Sequence, residues 1–566
     1  MLGIVTGKDS DGKYLVEIYR LGSPCREHKW TAATIRQKVA DGMPIVGVSD
    51  TDIVCYASYT EFMETEIMTA KLFGCDGYIC EPSQLGETGG FLPKSGTEFA
   101  GYGVYLNPVA LGNVKSVVIP NGVLYVGAPG KEVKASALNN SIETIEMPDT
   151  VEKLSGRLCT MKYLTHVQLS AQLKQLPAYC FTELLQLHEI YLPDSIQTIG
   201  EGCFFNCDIK RVTHWPENLK AIQKSAFGNT LLQGRLAFGE NLQKIGARAF
   251  VHTHITELII PAGVEVGDGA FQDCSDLTYV EFPTTSVLTY KPKSINTDRN
   301  IFSNCPNIRE VKIVGDGSYI SDELCSHLSA LQKVTFPETL HEISHKAFAY
   351  TPKLTEITLP SGLSSISVNA FQASGITEIY IPDSVYAIGK GAFQYCKALR
   401  SVHLPKSLTV LKAEVFAHCP LLEHIELPET IERIEAFAFY ECDALTSITL
   451  PSSCRELQDS AFSGCQNLAS ITLNEGLCEI GYGCFYDCIS LTSLHIPDSV
   501  EKMESDIPKS VTALYISENI EDVYRLFNYT TSANPLTITM KRTAKALQKV
   551  QELQGTRWHG TLNIID

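Results

Sequence analysis

Basic residues are in the minority in this 566-residue chain: Lys and Arg total 46 against 64 Asp and Glu, for a formal charge of −18. That balance argues against a primary nucleic-acid binder, whose affinity rests on cations neutralising phosphates. No run of about 18 apolar residues occurs, so a membrane span is not expected. The opening residues, MLGIVTGKDSDGKYLVEIYR, lack the basic start and long apolar core of a secretory signal. Read as a native start, they imply a cytoplasmic protein. A phosphate-cradling G-x-x-x-x-G-K-S/T and a G-x-S-x-G nucleophile elbow are both missing. The glycine-rich GETGG at 86–90 has no strand-to-helix context around it.

What is present suits a folded protein: hydrophobic residues make up 44% and charged residues 19%. The length allows several domains or one long repeat array. The strongest signal is a period. Phenylalanine recurs as Phe181, Phe204, Phe227, Phe250, Phe271, Phe302, Phe348, Phe371, Phe393, Phe416, Phe439, Phe462 and Phe485, and most gaps are 23 residues. Between Phe302 and Phe348 lie two units, with Cys325 in the phenylalanine position; between Phe271 and Phe302 lies one unit plus 8 extra residues.

Aligned on this ruler, the unit reads C-x-x-L-x-x-I-x-L-P, then an apolar pair, then A-F, as in CDALTSITLPSSCRELQDSAF at 442–462. The I-x-L portion predicts a short strand with Ile448 and Leu450 inward and Ser447 and Thr449 outward. Proline lacks the N–H that a ladder needs, so Pro451 and its equivalents mark the strand end. A unit this short buries its apolar side only by stacking on the next, with strands paired in parallel. The expected fold is a predominantly β repeat solenoid. It spans 106–520, between a small α+β module at 1–105 and a helical cap at 521–566.

The unit LTSITLPSSCRELQDSAFSGCQN resembles the BspA-like leucine-rich repeats of bacterial surface and host-interaction proteins, over approximately residues 111–517. The resemblance implies a leucine-rich-repeat scaffold that recognises macromolecules. It also implies a secreted or surface-attached, adhesin-like protein as the alternative to a cytoplasmic one.

The register also accounts for cysteines, of which there are 19. Three residues after the ruler phenylalanine stand Cys207, Cys274, Cys305, Cys396, Cys419, Cys442, Cys465 and Cys488, with Thr230, Thr253, Thr351 or Ser374 in other units. That interchange predicts a small inward side chain making a weak hydrogen bond to the turn backbone. Parallel Cβ vectors would keep stacked thiols reduced. HEISH at 341–345 matches the zinc-protease motif, which requires a helix. In register, however, LHEISHKAF aligns with VYAIGKGAF and LCEIGYGCF, where Gly389 and Gly481 indicate a turn. His341 and His345 are therefore not expected to share a helical face.

Before the ruler begins, 3–20 reads as a β-hairpin, 31–42 and 59–74 as helices, and 44–49 as a strand. Cys25 and His28 with Cys75 and Cys80 have permissible but loose spacing for structural zinc; free or buried thiols are the competing reading, and Cys55 lies nearby. At the other end, 541–555 reads as a helix and the last twelve residues supply a final strand, together covering the terminal edge.

A regular solenoid offers a long strand face in place of a cavity. Its outward positions are Glu257, Tyr279, Glu281, Glu310, Lys312, Glu356, Glu378, Tyr380, His403, His424 and Glu426, followed by bland Ser and Thr. Tyr and His among carboxylates suit a protein or peptide partner carrying basic groups. The extra residues, within 284–300, form a locally basic loop with Tyr290, Lys291, Lys293 and Arg299. The expectation is a non-enzymatic recognition scaffold with no cofactor, against an enzymatic or metal-dependent activity in 1–105.

Overall fold

Stacking is visible coil by coil in the computed structural model, which describes residues 2–20, 23–40, 45–46, 53, 55, 116–118, 125–126, 143–154, 161–284, 287–288, 300–528, 530 and 535–566. Ser447–Thr449 is a strand with Ile448 buried between exposed neighbours, and Leu450 is buried behind it. A second strand of only two residues, Glu456–Leu457, follows the Pro451 turn. Both pair in parallel with the next coil: Ile448 with Ile471, and Leu457 with Ile480. The second ladder was not predicted from the periodicity.

The phenylalanine sits in a turn built by alternation of backbone handedness. Around Phe439, the residues two before and two after it, Phe437 and Glu441, have φ of 61° and 55°. Their N–H groups, and that of Phe439, donate to Asp459, Ser463 and Ala461 of the next coil at 3.0, 2.9 and 2.8 Å. The intervening Ala438 and Tyr440 N–H groups close turns within the coil, onto Glu435 and Phe437. Left-handed backbone costs an L-residue roughly 1–2 kcal/mol, and the inter-coil hydrogen bonds offset it. Tyr179, Arg248, Glu323, Lys346 and Glu414 accept the same conformation at the leading position. Glycine at Gly389 and Gly481 has a different cause from the predicted turn: an added Cβ would lie 2.5 Å from the Val368 nitrogen or 2.6 Å from an Asp459 carboxylate oxygen.

The thiol prediction has a specific geometry. Cys419, Cys442, Cys465 and Cys488 donate through Sγ to the carbonyls of Phe393, Phe416, Phe439 and Phe462, the ruler residue of the preceding coil, at 3.1–3.2 Å. Thr230, Thr253 and Thr351 instead bond the phenylalanine carbonyl of their own coil. The cysteines whose side chains are described are free thiols, and most are buried.

The described chain forms two compact units. The first comprises Met1–Thr256, Val264–Ser275 and Leu288–Ile301. Its N-terminal sheet has Leu2–Lys8 antiparallel to Tyr14–Arg20, which pairs in turn with Ser23–Trp30, while Ile45–Val46 lies parallel to the first strand. The hairpin turn is held by Asp9, whose carboxylate accepts the Asp11 and Lys13 N–H groups. Ala32–Ala40 is the predicted first helix, with the Thr31 hydroxyl accepting the Thr34 N–H at its start. Val5, Val16, Ile18 and Ile35 form the buried cluster of this module. The predicted helix at 59–74 lies outside the described residues. In the coils of this unit, Phe181, Phe204, Phe227, Phe250 and Phe271 stack at 5.0–5.4 Å between ring centroids.

The second unit comprises Glu257–Gly263, Asp276–Val287 and Phe302–Asp566. Phe348, Phe371, Phe393, Phe416, Phe439 and Phe462 stack at 5.2–5.7 Å, and Phe485 follows at 6.4 Å. At its end the predicted 541–555 helix is shorter, Leu547–Leu553. Leu536–Lys541 instead adds a strand to Ala513–Tyr515, because Leu536, Ile538 and Met540 are buried in the coil register. Gly560–Ile565 pairs parallel to it as the final strand. Val550, Leu553 and Trp558 are buried, with the Trp558 indole donating to the Val550 carbonyl at 2.9 Å.

Two outcomes follow. Phe416→Ala removes a fully buried ring stacked on both sides and lowers unfolding free energy by about 3–5 kcal/mol in a urea titration. Burial also pushes the Cys396 thiol up to about 11 from an ordinary 9.0. The folded state therefore holds this proton longer than the unfolded chain, so its contribution is intact below pH 9.0 and lost as pH rises toward 11. In urea titrations from pH 8 to 10.5, Cys396→Ser has a shallower loss of stability than the parent.

Candidate functional site

The strand face of the second unit divides its predicted contact residues by charge pairing. In one stretch, Glu257, Leu258 and Ile259 pair with Tyr279, Val280 and Glu281, which pair with Glu310, Val311 and Lys312, and these with Lys333–Thr335. Register sets oppositely charged side chains side by side. Glu281 accepts hydrogen bonds from the Tyr279 hydroxyl and from Lys312, both at 3.1 Å, and Glu310 binds Lys333 at 2.7 Å. Burial, followed by the Glu281 carboxylate, raises the Tyr279 phenol above its ordinary value. This stretch is an internally compensated ladder.

A different arrangement arises where Glu378–Tyr380, Ser401–His403 and His424–Ile425 pair in parallel. Alternation turns Ile379 and Val402 into the core and leaves two outward rows. Glu378, Ser401 and His424 make one row; Tyr380, His403 and then Glu426 make the other. These residues line an open groove of about 570 Å³ whose floor includes half-buried Ile425 and Leu427. The Tyr380 and His403 rings stack at 4.4 Å and 8°, with Tyr380 61% exposed.

The groove rim is neutralised, and its interior is not. Arg400 binds Glu423 at 2.9 Å on one side, and Lys406 binds Asp383 at 3.7 Å on the other. Asp383 also accepts the Lys406 backbone N–H at 3.0 Å, the largest influence holding its carboxyl below the ordinary value. Among the described residues, Glu378 and Glu426 make no ion pair. With Glu429, which likewise makes no ion pair among the described residues, the groove therefore presents three uncompensated carboxylates around an aromatic pair, a combination able to hold cations by charge and by the ring face.

The remaining candidates separate from this groove. Glu356 is exposed on an extended segment assigned to no strand, and Ile357 in the inward position is only half-buried. Tyr290, Lys291, Lys293 and Arg299 lie outside the described residues. Glu342–Ile343 is a strand followed by a turn, so His341 and His345 share no helix face; His341 Nδ1 lies 2.6 Å from the Thr339 carbonyl oxygen. His28 stacks on Trp30 at 4.7 Å. Cys75, Cys80 and the Cys25 side chain lie outside the described residues. Among the described residues, no group of three His, Cys, Asp or Glu is placed to hold a metal. The structure adds Ser401, Lys406 and Glu429 to the groove lining. The coil spacing itself would have found Ser401, since it stands 23 residues after Glu378.

Parallel ladders, a stacked phenylalanine column and an outward strand face define a β-solenoid repeat scaffold. The chain belongs to the BspA type leucine rich repeat family: that family model, in 6 copies, matches residues 111–233, 213–326, 293–423, 387–515 and 432–541. No curated protein matches it. Among solved structures, a leucine-rich repeat protein from Bacteroides ovatus is similar at 25% identity and TM-score 0.49, covering 58% of this chain and 84% of that one. Another, from Eubacterium ventriosum, is 16% identical with TM-score 0.29, covering 70% and 89%. A leucine rich cell surface protein from Faecalibacterium prausnitzii is 23% identical with TM-score 0.23, covering 70% and 93%.

The two stretches respond differently to mutation. Lys312→Met strips Glu281 of its cation and costs up to about 1 kcal/mol. Glu378→Gln and Glu426→Gln leave stability within about 0.5 kcal/mol of the parent in the same urea titration, because neither carboxylate has a cation partner to lose.

Proposed function

We propose that this protein is a non-enzymatic recognition scaffold that binds a protein partner on its strand face, at the groove between Glu378 and Glu429. Leucine-rich repeat proteins generally mediate protein–protein interaction, and their solenoids are typically scaffolds without catalytic activity. The observation that carries the choice of site is the groove's uncompensated charge. Elsewhere on the described strand face of the second unit, Glu281 and Glu310 are paired with lysines, whereas Glu378 and Glu426 stand without cations beside an exposed aromatic stack. Uncompensated charge on a rigid surface steers and selects a partner of opposite sign.

BspA-like proteins are often surface or secreted bacterial proteins, and in that setting the same groove would attach the molecule to host or matrix components. No helix among the described residues is long and apolar enough to cross a membrane.

Ser401 is half-buried at the groove centre, so Ser401→Trp fills the site without touching the core. Affinity capture from the native cell, with partners identified by mass spectrometry, should lose its specific partner with this variant and retain it with Glu310→Gln. Retention by Ser401→Trp would refute this placement.

A further inference from the structure

We infer that the groove takes an extended peptide segment carrying two cationic side chains four residues apart, one at Glu378 and one at Glu426. The inference rests on the groove being the recognition site and adds the chemistry and spacing of its ligand.

The spacing comes from the sheet. Glu378 and Glu426 occupy opposite corners of the two outward rows: their strands are two apart and their positions differ by two residues along the strand. With strands about 4.8 Å apart and a rise of about 3.3 Å per residue, the diagonal is roughly 12 Å. In an extended peptide, side chains on one face recur every second residue, and residues i and i+4 are about 13 Å apart. That pair matches the diagonal; i and i+2 fall short, and i and i+3 point to opposite faces.

What lies between the corners suits such a chain. The Tyr380–His403 stack is held in register by strand pairing, leaving the exposed Tyr380 ring to one of the cations or its alkyl stem. Ser401 and His424 supply polar groups along the path, and Ile425 with Leu427 supplies apolar floor for a small middle side chain. The rim favours the same ligand, since the Lys406 and Arg400 charges nearest the groove are already engaged by Asp383 and Glu423. Charge complementarity therefore selects cations inside the groove without a repelling rim. An acidic segment would meet Glu378, Glu426 and Glu429, against the single lining cation Lys406, which Asp383 engages.

The test is titration calorimetry of the full chain with synthetic five-residue peptides at low salt. Arg-Ser-Val-Ser-Arg should bind about 2- to 5-fold tighter than the same composition with adjacent arginines, from two exposed ion-pair contacts in place of one. Raising salt should weaken it. Glu378→Gln and Glu426→Gln should each weaken it about 2- to 5-fold, and Tyr380→Leu by a similar factor through loss of the ring face. Glu310→Gln, with its carboxylate paired outside the groove, should leave affinity unchanged. Equal binding of both peptides, or unchanged affinity in Glu378→Gln, would overturn the inference. So would 1,8-diaminooctane binding as tightly as the peptide, since the charges alone would then account for recognition. If Ser401→Trp abolishes native-partner capture while the peptides bind alike, the groove remains the recognition site and only the ligand chemistry fails.

Discussion

Everything in this fold depends on one arrangement: a fully buried phenylalanine in each regular coil, stacked on the next, inside a turn whose backbone alternates handedness. The alternation aims three N–H groups per turn at the following coil, as with Phe437, Phe439 and Glu441. The ring fills the space those bonds enclose. Neither feature stands alone, because the left-handed residues are strained without the inter-coil hydrogen bonds and the ring would face water without its neighbours. The thiol column extends the same logic. Cys207, Cys274, Cys396, Cys419, Cys442, Cys465 and Cys488 each spend their weak donor on a phenylalanine carbonyl one coil back, at a site where threonine or serine also fits.

Such a core leaves the exterior free to vary, and function follows from what neighbouring coils place side by side. Glutamate beside lysine, as at Glu281 with Lys312 and Glu310 with Lys333, yields a neutral surface. Glutamate beside serine, as at Glu378 with Ser401, leaves a charge available to a partner. The scaffold supplies spacing, and in the proposed reading the contrast between paired and unpaired carboxylates supplies selectivity.

Much of this was legible beforehand, because a fixed repeat converts distance along the chain into adjacency in space. The phenylalanine ruler, the inward Ile448 and Leu450, the hydrogen-bonding role of the ladder cysteines and the non-helical setting of His341 and His345 all follow from register. Two strands of backbone logic were hidden. The second ladder has strands of two residues, such as Glu456–Leu457, too short to show a period. The left-handed positions carry Tyr, Arg, Glu, Lys and Asn as readily as Gly, so no residue type announces them.

The amino-acid sequence alone determined the repeat, its buried column and the list of outward residues, because those depend only on spacing and side-chain polarity. Tertiary structure decided which outward carboxylates have a cation beside them. It added a strand at 536–541 that the sequence reading does not assign, since pairing with Ala513–Tyr515 buries Leu536, Ile538 and Met540. It also left Glu356 outside the ladder strands and cancelled Glu281 and Glu310. The reason is physical: burial is fixed by each residue's own transfer preference, whereas free charge depends on which neighbours reach it in space.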